Sequence, residues 1–394
     1  MSLSQRLGVG PGDLVALRLA PGPAWLDAVT DIWAAGAAIL PLDVRAPVAE
    51  LRAILALADP GVIVSAEGTK IRDTGSSIGE RIGLVMATSG TSGAPKLAEL
   101  AKESVAAAVH SSTRALGAAV DAPWVACLTP AHVGGMLVLL RSAILGGPVS
   151  VQERFDPERI AAAATAVGPV FASVVPTMVQ RLVASGIPLE RVTLLVGGGP
   201  LDVALCAAAE RLGARVVTTY GLTETTGGVA YDGIPFPETD VRFDPDGAIE
   251  LRGPTIMSGY RRDPQSTAEA FTTDGWLRTG DLGAMNGERL VVAGRSDDLI
   301  RTGAEKVWPQ EVERALADHP KVVDVAVAGV PDPEWGSHVT AFVVPADLDS
   351  PPTLRDLQIH VEGRLTRFKF PRELHLVAEI PRTASGKVRR SGLG

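Results

Sequence analysis

The sequence predicts an α/β protein with a large N-terminal domain of βαβ-layered sheets plus a small β unit, followed by a small α+β C-terminal domain. Three observations predict it. Over the first two-thirds, short Val/Ile/Leu runs alternate with Ala-rich stretches that are apolar at helical spacing. That is the signature of βαβ units whose sheets are covered on both faces. From about Asp240 the runs shorten and are punctuated by Gly, Asp-Gly and Asn-Gly turns, as in a small antiparallel β unit. After Arg295 the order becomes helix, strand, strand, helix, strand, a compact unit of its own with a boundary at "GRSDDLIR".

Taken in order, "DLVALRL", "RIGLVMA", "WVACLTP", "PVSVQ", "VFASVVP", "VTLLVGGG" and "RVVTTYG" read as strands. Between them "AWLDAVTDIWAAGA", "ESVAAAVHSSTRALG", "GMLVLLRSAILG", "DPERIAAAATAV", "PTMVQRLVAS" and "LDVALCAAAERLG" read as helices. In such sheets ligands collect at the carboxyl ends of strands, where the strand-to-helix loops lie. A hydroxyl-rich loop in "VMATSGTSGAPKLAEL", then "GGGP" and "YGLTET", are each expected at such an end. The C-terminal domain is expected to contain "QEVERALADH" and "TLRDLQIHVEGRL" as helices, with "VVDVAVAGV", "VTAFVVP" and "RELHLVAEIP" as strands.

Composition narrows the function. The chain has 394 residues, 46% hydrophobic and 21% charged, which is globular usage with room for two or three domains. A net charge of −8 argues against a general nucleic-acid or anionic-membrane binder, so an anionic ligand needs a local cation cluster. Two cysteines, Cys127 and Cys206, exclude a disulfide framework or Cys-rich zinc site and fit a reducing cytoplasm. The start, "MSLSQRLGVGPGD", lacks a signal-peptide core, and the weakly charged stretch 160–180 is broken by Gly168, Pro169 and Pro176. A cytoplasmic protein without a membrane span is expected. Of the 37 basic residues only seven are lysine, so a lysine at a motif position carries weight.

The hydroxyl-rich loop shows why. Thr88, Ser89, Gly90, Thr91, Ser92 and Gly93 offer hydroxyls and exposed backbone N–H groups with little bulk, and Lys96 adds a compact cation. Such a loop can surround a polyphosphate. It is not the common nucleotide P-loop, because Pro95 precedes the lysine and Leu97 follows it, where that motif has Gly and Ser or Thr. Downstream, "TTYGLTETTGG" supplies Tyr220, Thr223 and Glu224, "GWLRTGDLG" holds Asp281, and "PRTASGKVRR" holds Lys387.

These segments, in this order, resemble the adenylate-forming superfamily of acyl-CoA synthetases, luciferases and adenylation domains, over nearly the whole chain. The resemblance implies Mg2+ as cofactor, ATP and CoA as co-substrates, a small carboxylic acid as the other substrate, and no nucleic-acid or membrane partner. It implies that Thr88 to Lys96 hold the β- and γ-phosphates, that Tyr220, followed by Gly221, stacks on adenine, and that Gly198 and Gly199 admit backbone to the base. Thr223 would bond the α-phosphate, Glu224 would hold Mg2+, and Asp281 with Arg295 would bind the ribose. Lys387 would stabilise the transition state of adenylation from a mobile C-terminal domain, 297–394, that turns about Asp297 relative to residues 1–296. Arg364, Arg367, Lys369 and Arg372 would meet the CoA phosphates, or are an ordinary basic surface. A homodimer is a family-level expectation. Two departures stand out: Ser92 replaces the usual second Thr, and "PKLAEL" lacks the small residue that commonly follows "PK".

The acid pocket is expected from "LTPAHVGGMLVLLR" and "TTGGVAYDGIP". His132 would close over the carboxylate, or is a buried structural histidine. Gly228 would line the pocket. Arg141, alone in an apolar helix, would bind a second substrate carboxylate, or forms a structural salt bridge. "PAHVGGMLVLLRSAILGG" and "TYGLTETTGGVAYDG" look like the o-succinylbenzoate–CoA ligases of menaquinone biosynthesis. The alternatives are another aryl- or acyl-CoA synthetase, an enzyme loading a carrier-protein thiol, and a non-catalytic nucleotide or acyl-CoA sensor.

Overall fold

The computed structural model describes residues 2–72, 75–89, 95–382 and 388–393. Gly90, Thr91, Ser92, Gly93 and Lys387 therefore lie outside the described residues, as does the side chain of Ser89. The chain divides into two compact units. The first comprises residues 1–242, 250–279 and 287–290, and the second residues 243–249, 280–286 and 291–394. The continuous part of the second unit thus begins at Val291, a few residues before the expected boundary at 296/297, and two segments of the small β unit go with it.

In the first unit the apolar runs form two seven-stranded sheets. One is ordered Gly259–Tyr260, Pro95–Ala101, Ile82–Ser89, Ala38–Pro41, Leu14–Arg18, Val62–Ser65, Gly68–Ile71. The other is ordered Ile234–Pro235, Gly227–Tyr231, Arg215–Leu222, Val192–Val196, Val170–Val174, Trp124–Ala126, Val149–Val151. Alternation decides which way each side chain points. Val15 and Leu17 enter one buried cluster, while Leu14 and Ala16 enter another on the opposite face. The cluster holding Val15 and Leu17 also receives Trp124, Phe171 and Leu195 from the second sheet. Trp25, Val29 and Ile32 of helix Pro23–Ala34 and Met136, Leu139 and Leu140 of helix Val133–Leu145 fill the space between. Two sheets sharing one helical layer make the core of this unit.

Helix ends follow local chemistry. Asp156 caps Pro157–Val167 by accepting from Glu158 N at 3.0 Å, with Pro157 where a missing N–H costs nothing. Lys102–Leu116 and Val133–Leu145 stop at Gly117 and Gly146, both left-handed. The predicted helices and parallel strands are present, with their ends shifted by a few residues.

Two of the expected strand-to-helix loops are something else. Ile82–Ser89 pairs with an antiparallel strand, Pro95–Ala101, where a strand-to-helix junction was expected. Arg215–Leu222 likewise turns back into Gly227–Tyr231. Only "GGGP", after Val192–Val196, leads on to a helix, Val203–Arg211.

The small β unit is a four-stranded sheet of Asp240–Phe243, Ala248–Arg252, Leu277–Asn286 and Arg289–Arg295. In the second unit, Val322–Asp332 and Gly336–Pro345 form a long hairpin, and Glu373–Leu376 adds to it in parallel. Helices Pro309–Leu316 and Leu354–Val361 bury Val312, Leu316, Leu357 and Val361 against it. "IRTGAEKV" is a further hairpin, Ile300–Thr302 with Glu305–Val307, turning at Gly303 with φ 62°.

Cys127 is buried beside Val174 and donates to Ser173 O at 3.3 Å, and burial pushes its thiol pKa up to about 12. At pH 8 in native buffer iodoacetamide should modify the half-buried Cys206 and spare Cys127, which should label only after denaturation. Peptide mapping of the alkylated protein reads this directly; equal native labelling would mean the second sheet opens readily.

Candidate active site

The hairpin that carries the hydroxyl-rich stretch is held at its base by Thr88 paired with Lys96. The two-residue strand Gly259–Tyr260 adds to its outer edge, with Tyr260 opposite Ala98. Opposed residues share a face, and so do Lys96 and Ala98, two apart on one strand. Tyr260 and Lys96 are therefore diagonal neighbours, and the Lys96 ammonium lies 5.1 Å from the Tyr260 ring centroid. At the far end of the same ring, Tyr260 Oη donates to Glu224 Oε1 at 2.8 Å. Met257 N, three residues earlier, donates to the Glu224 carbonyl at 2.8 Å.

Glu224 stands on a closed turn. Tyr220 pairs with Ala230 and Gly221 with Gly228, leaving Val229 as the extra residue of a bulge. A Cβ at Gly221 would sit 1.9 Å from Gly227 O, so only glycine lets the strands come this close. The Thr225 hydroxyl accepts from Leu222 N at 2.8 Å and donates to Gly227 O at 2.7 Å. Thr226, left-handed at φ 53° and fully buried, donates to Thr255 O at 2.6 Å. The buried threonines build the turn; Thr223 and Glu224, half-buried, are presented by it. Tyr220 is also half-buried, while Gly198, with φ 81°, and Gly199 are exposed at the end of the neighbouring strand.

The donor set fits a hard cation. The Glu224 carboxylate is oriented by a neutral phenol, and neither it nor Lys96 forms an ion pair among the described residues. No group of three or more His, Cys, Asp or Glu converges on one point among the described residues. A magnesium ion here would take one carboxylate and complete its shell from substrate phosphates and water, which is its usual habit in nucleotide sites.

His132 is exposed at the N-cap of helix Val133–Leu145, so the buried structural histidine is excluded. A Cβ on Gly227 would lie 2.6 Å from Leu137 Cδ1, so this helix packs directly on the strand carrying Gly228. His132 and Gly228 thus belong to elements in contact.

Arg141, on that helix, is buried and forms no structural salt bridge among the described residues. Instead its guanidinium donates to Val109 O at 3.2 Å, to Ser112 Oγ at 2.9 Å and to the Thr113 hydroxyl, and lies 4.2 Å from the Trp124 ring centroid. Ser112 Oγ in turn meets Tyr231 Oη at 2.6 Å. Burial pushes the Arg141 pKa down to about 10, which leaves it charged at neutral pH. The cation is used inside the wall, tying helix Lys102–Leu116 to helix Val133–Leu145 and to the strand of Gly228.

In the second unit, Asp281 is buried and accepts from Arg295 Nη1 at 3.3 Å, with Arg295 lying over the left-handed Gly280. Asp297 is exposed in the single turn Ser296–Asp298. Arg390 joins the next residue, Asp298, at 3.1 Å to Glu313 at 2.6 Å. Arg382 pairs with Asp324 at 2.8 Å and forms a β-bridge with Val388. Of the expected basic patch, Arg364 is held by Asp318 at 2.9 Å and Lys369 by Glu311 at 2.6 Å, while Arg372 lies 4.7 Å from the Trp335 ring. Arg367 is exposed. Sequence reading passed over Tyr260, Tyr231 and Ser112; the one available sign was the lone Tyr of "MSGY" in a chain with three tyrosines.

The profile of the AMP-binding enzyme family matches residues 1–82 and 79–261, and that of the AMP-binding enzyme C-terminal domain matches residues 311–387. The chain belongs to the AMP-binding enzyme family. Within this family, a Mycobacterium tuberculosis protein named probable 2-succinylbenzoate–CoA ligase is 38% identical over 331 residues, covering 81% of this chain and 85% of its own. The 2-succinylbenzoate–CoA ligase of Listeria innocua is 34% identical over 330 residues, covering 79% and 70%. The o-succinylbenzoate coenzyme A synthetase (MenE) of Bacillus subtilis, solved with AMP, has a TM-score of 0.87 and 25% identity, covering 99% of this chain and 89% of that one. The amide bond synthetase McbA of Marinactinospora thermotolerans has a TM-score of 0.85 and 26% identity, over 99% and 91%. The resemblance read from the motifs is borne out, and so is the α/β architecture.

Replacing Arg141 by Ala strands the Ser112 and Thr113 hydroxyls and removes the cation from Trp124. Urea unfolding should show a loss of about 2–4 kcal/mol, the scale for buried polar groups left without partners. A variant as stable as the parent would show that the wall does not need this cation.

Proposed function

We propose that this chain is an ATP- and Mg-dependent acid–CoA ligase that works through an acyl-adenylate, with 2-succinylbenzoate as its acid. The observation that carries the chemistry is the meeting of Lys96, on a hairpin strand of the first sheet, and Glu224, on a turn of the second, at one phenol ring. A cation and a carboxylate held on the face and the hydroxyl of one ring, neither in an ion pair among the described residues, suit a metal-bound polyphosphate. The choice of acid rests on the names of the 38% and 34% identical relatives. The fold alone does not choose it, since the amide bond synthetase has nearly the same TM-score.

In this reading the 88–96 hairpin and Lys96 take the β- and γ-phosphates, Thr223 the α-phosphate, and Tyr220 with Gly198, Gly199 and Gly221 the base. Asp281 and Arg295 take the ribose, the carboxylate accepting from its hydroxyls. Mg2+, on Glu224, would neutralise phosphate charge during transfer. The acid lies between His132 and Gly228, and Arg141 acts behind the wall by keeping Ser112, Tyr231 and the two helices in place. A carboxylate oxygen attacks the α-phosphorus, the bond to the bridging oxygen breaks, and pyrophosphate leaves. Lys387 offsets the charge that builds in this step. The C-terminal domain, 297–394, then turns about Asp297, and the thiol of CoA attacks the acyl carbon with release of AMP. We place the protein in the cytoplasm as a homodimer. No helix among the described residues is long and apolar enough to cross a membrane.

ATP–pyrophosphate exchange should start on addition of 2-succinylbenzoate. Exchange with other aromatic acids but not with this one would reassign the substrate. Lys387→Ala should slow adenylate formation about 100- to 1000-fold, the range for removing one transition-state donor, and spare thioester formation from supplied acyl-adenylate. Equal loss in both half-reactions would remove the role given to this lysine.

A further inference from the structure

We propose that Tyr260 is a positioning residue that keeps the phosphate-loop cation and the metal-binding carboxylate apart until nucleotide arrives. The inference rests on the roles given above to Lys96 and Glu224, and concerns a residue those roles leave out.

Lys96 and Glu224 are of opposite charge and are both half-buried. Coulomb attraction at side-chain range, in a partly desolvated site, would draw them into an ion pair. Such a pair would cancel the positive charge that meets phosphate and the negative charge that meets metal. The phenol gives each a weaker, neutral partner instead. Its π face takes the ammonium at 5.1 Å, and its hydroxyl donates to the carboxylate at 2.8 Å. Neither contact costs the group its charge, and a neutral partner is easily exchanged for a charged ligand.

Tyr260 is itself fixed from several sides. Its strand pairs with Pro95–Ala101, so its diagonal relation to Lys96 is set by register. Tyr260 N donates to Thr267 Oγ1 at 2.8 Å, and Ser258 N donates to Glu99 O at 2.8 Å. A Cβ at Gly259, where φ is 152°, would fall 2.8 Å from Thr267 Cγ2, so the strand and the start of helix Pro264–Ala270 are in close contact. Because Met257 N holds the Glu224 main chain, the segment 257–260 grips that residue by both backbone and side chain. A short edge strand thus measures the gap between the two charges.

The test is calorimetric binding of ATP without turnover, in EDTA, using the full chain and the variants Tyr260→Phe, Glu224→Gln and both together. In Tyr260→Phe the carboxylate loses its donor and captures Lys96, so ATP should bind about fivefold more weakly, the size of one partly exposed ion pair. With Glu224→Gln also present that carboxylate can no longer capture the lysine, and the loss should shrink below about twofold. A role in packing alone would not be rescued by a substitution at Glu224. Unchanged affinity in Tyr260→Phe overturns the proposal, and so does a loss that persists undiminished in the double variant. If the parent chain binds no ATP, or binds it equally well as Lys96→Ala, the underlying assignment of the site fails and this inference with it.

Discussion

On the proposed assignment, two opposite charges have to reach one polyphosphate without first reaching each other, and the segment 257–260 stands between them. Lys96 is carried by the first sheet and Glu224 by the second. Each arrives on an antiparallel reversal rather than at a strand-to-helix junction, so each is fixed by a ladder on both sides of its turn. A hairpin gives a side chain a register as well as a place. That is why a residue as small in the topology as Tyr260, on a strand of two, can be positioned against both.

The acid side uses a different economy of charge. A guanidinium buried without a carboxylate would ordinarily be costly. Arg141 is accommodated by two hydroxyls and a carbonyl on its terminal nitrogens and by the face of Trp124, while its buried Nε has no hydrogen-bond partner among the described residues.

Most of the layered architecture was legible in the sequence, because strands buried on both faces read as near-continuous apolar runs, as Leu14–Leu17 and Leu194–Val196 do. Pro95–Ala101 was not, since its charged and small residues hide the period of a strand whose register is imposed by its neighbour. The motif positions could be named from order and residue type alone. Their surroundings could not. Arg141 looked like a ligand because its partners, Ser112 and Thr113, are ordinary helix residues far back along the chain. His132 offered two readings that differ only in burial, which periodicity at a helix start cannot decide.

The contact between Gly221 and the Gly227 carbonyl has one more implication. With the ends of segment 222–227 pressed together and Thr225 spanning it from inside, the loop has no slack to give. Whatever lies against Tyr220 is then held at a constant separation from whatever Glu224 grips. The turn works as a fixed-length gauge, and an inserted residue there would miscalibrate both ends at once.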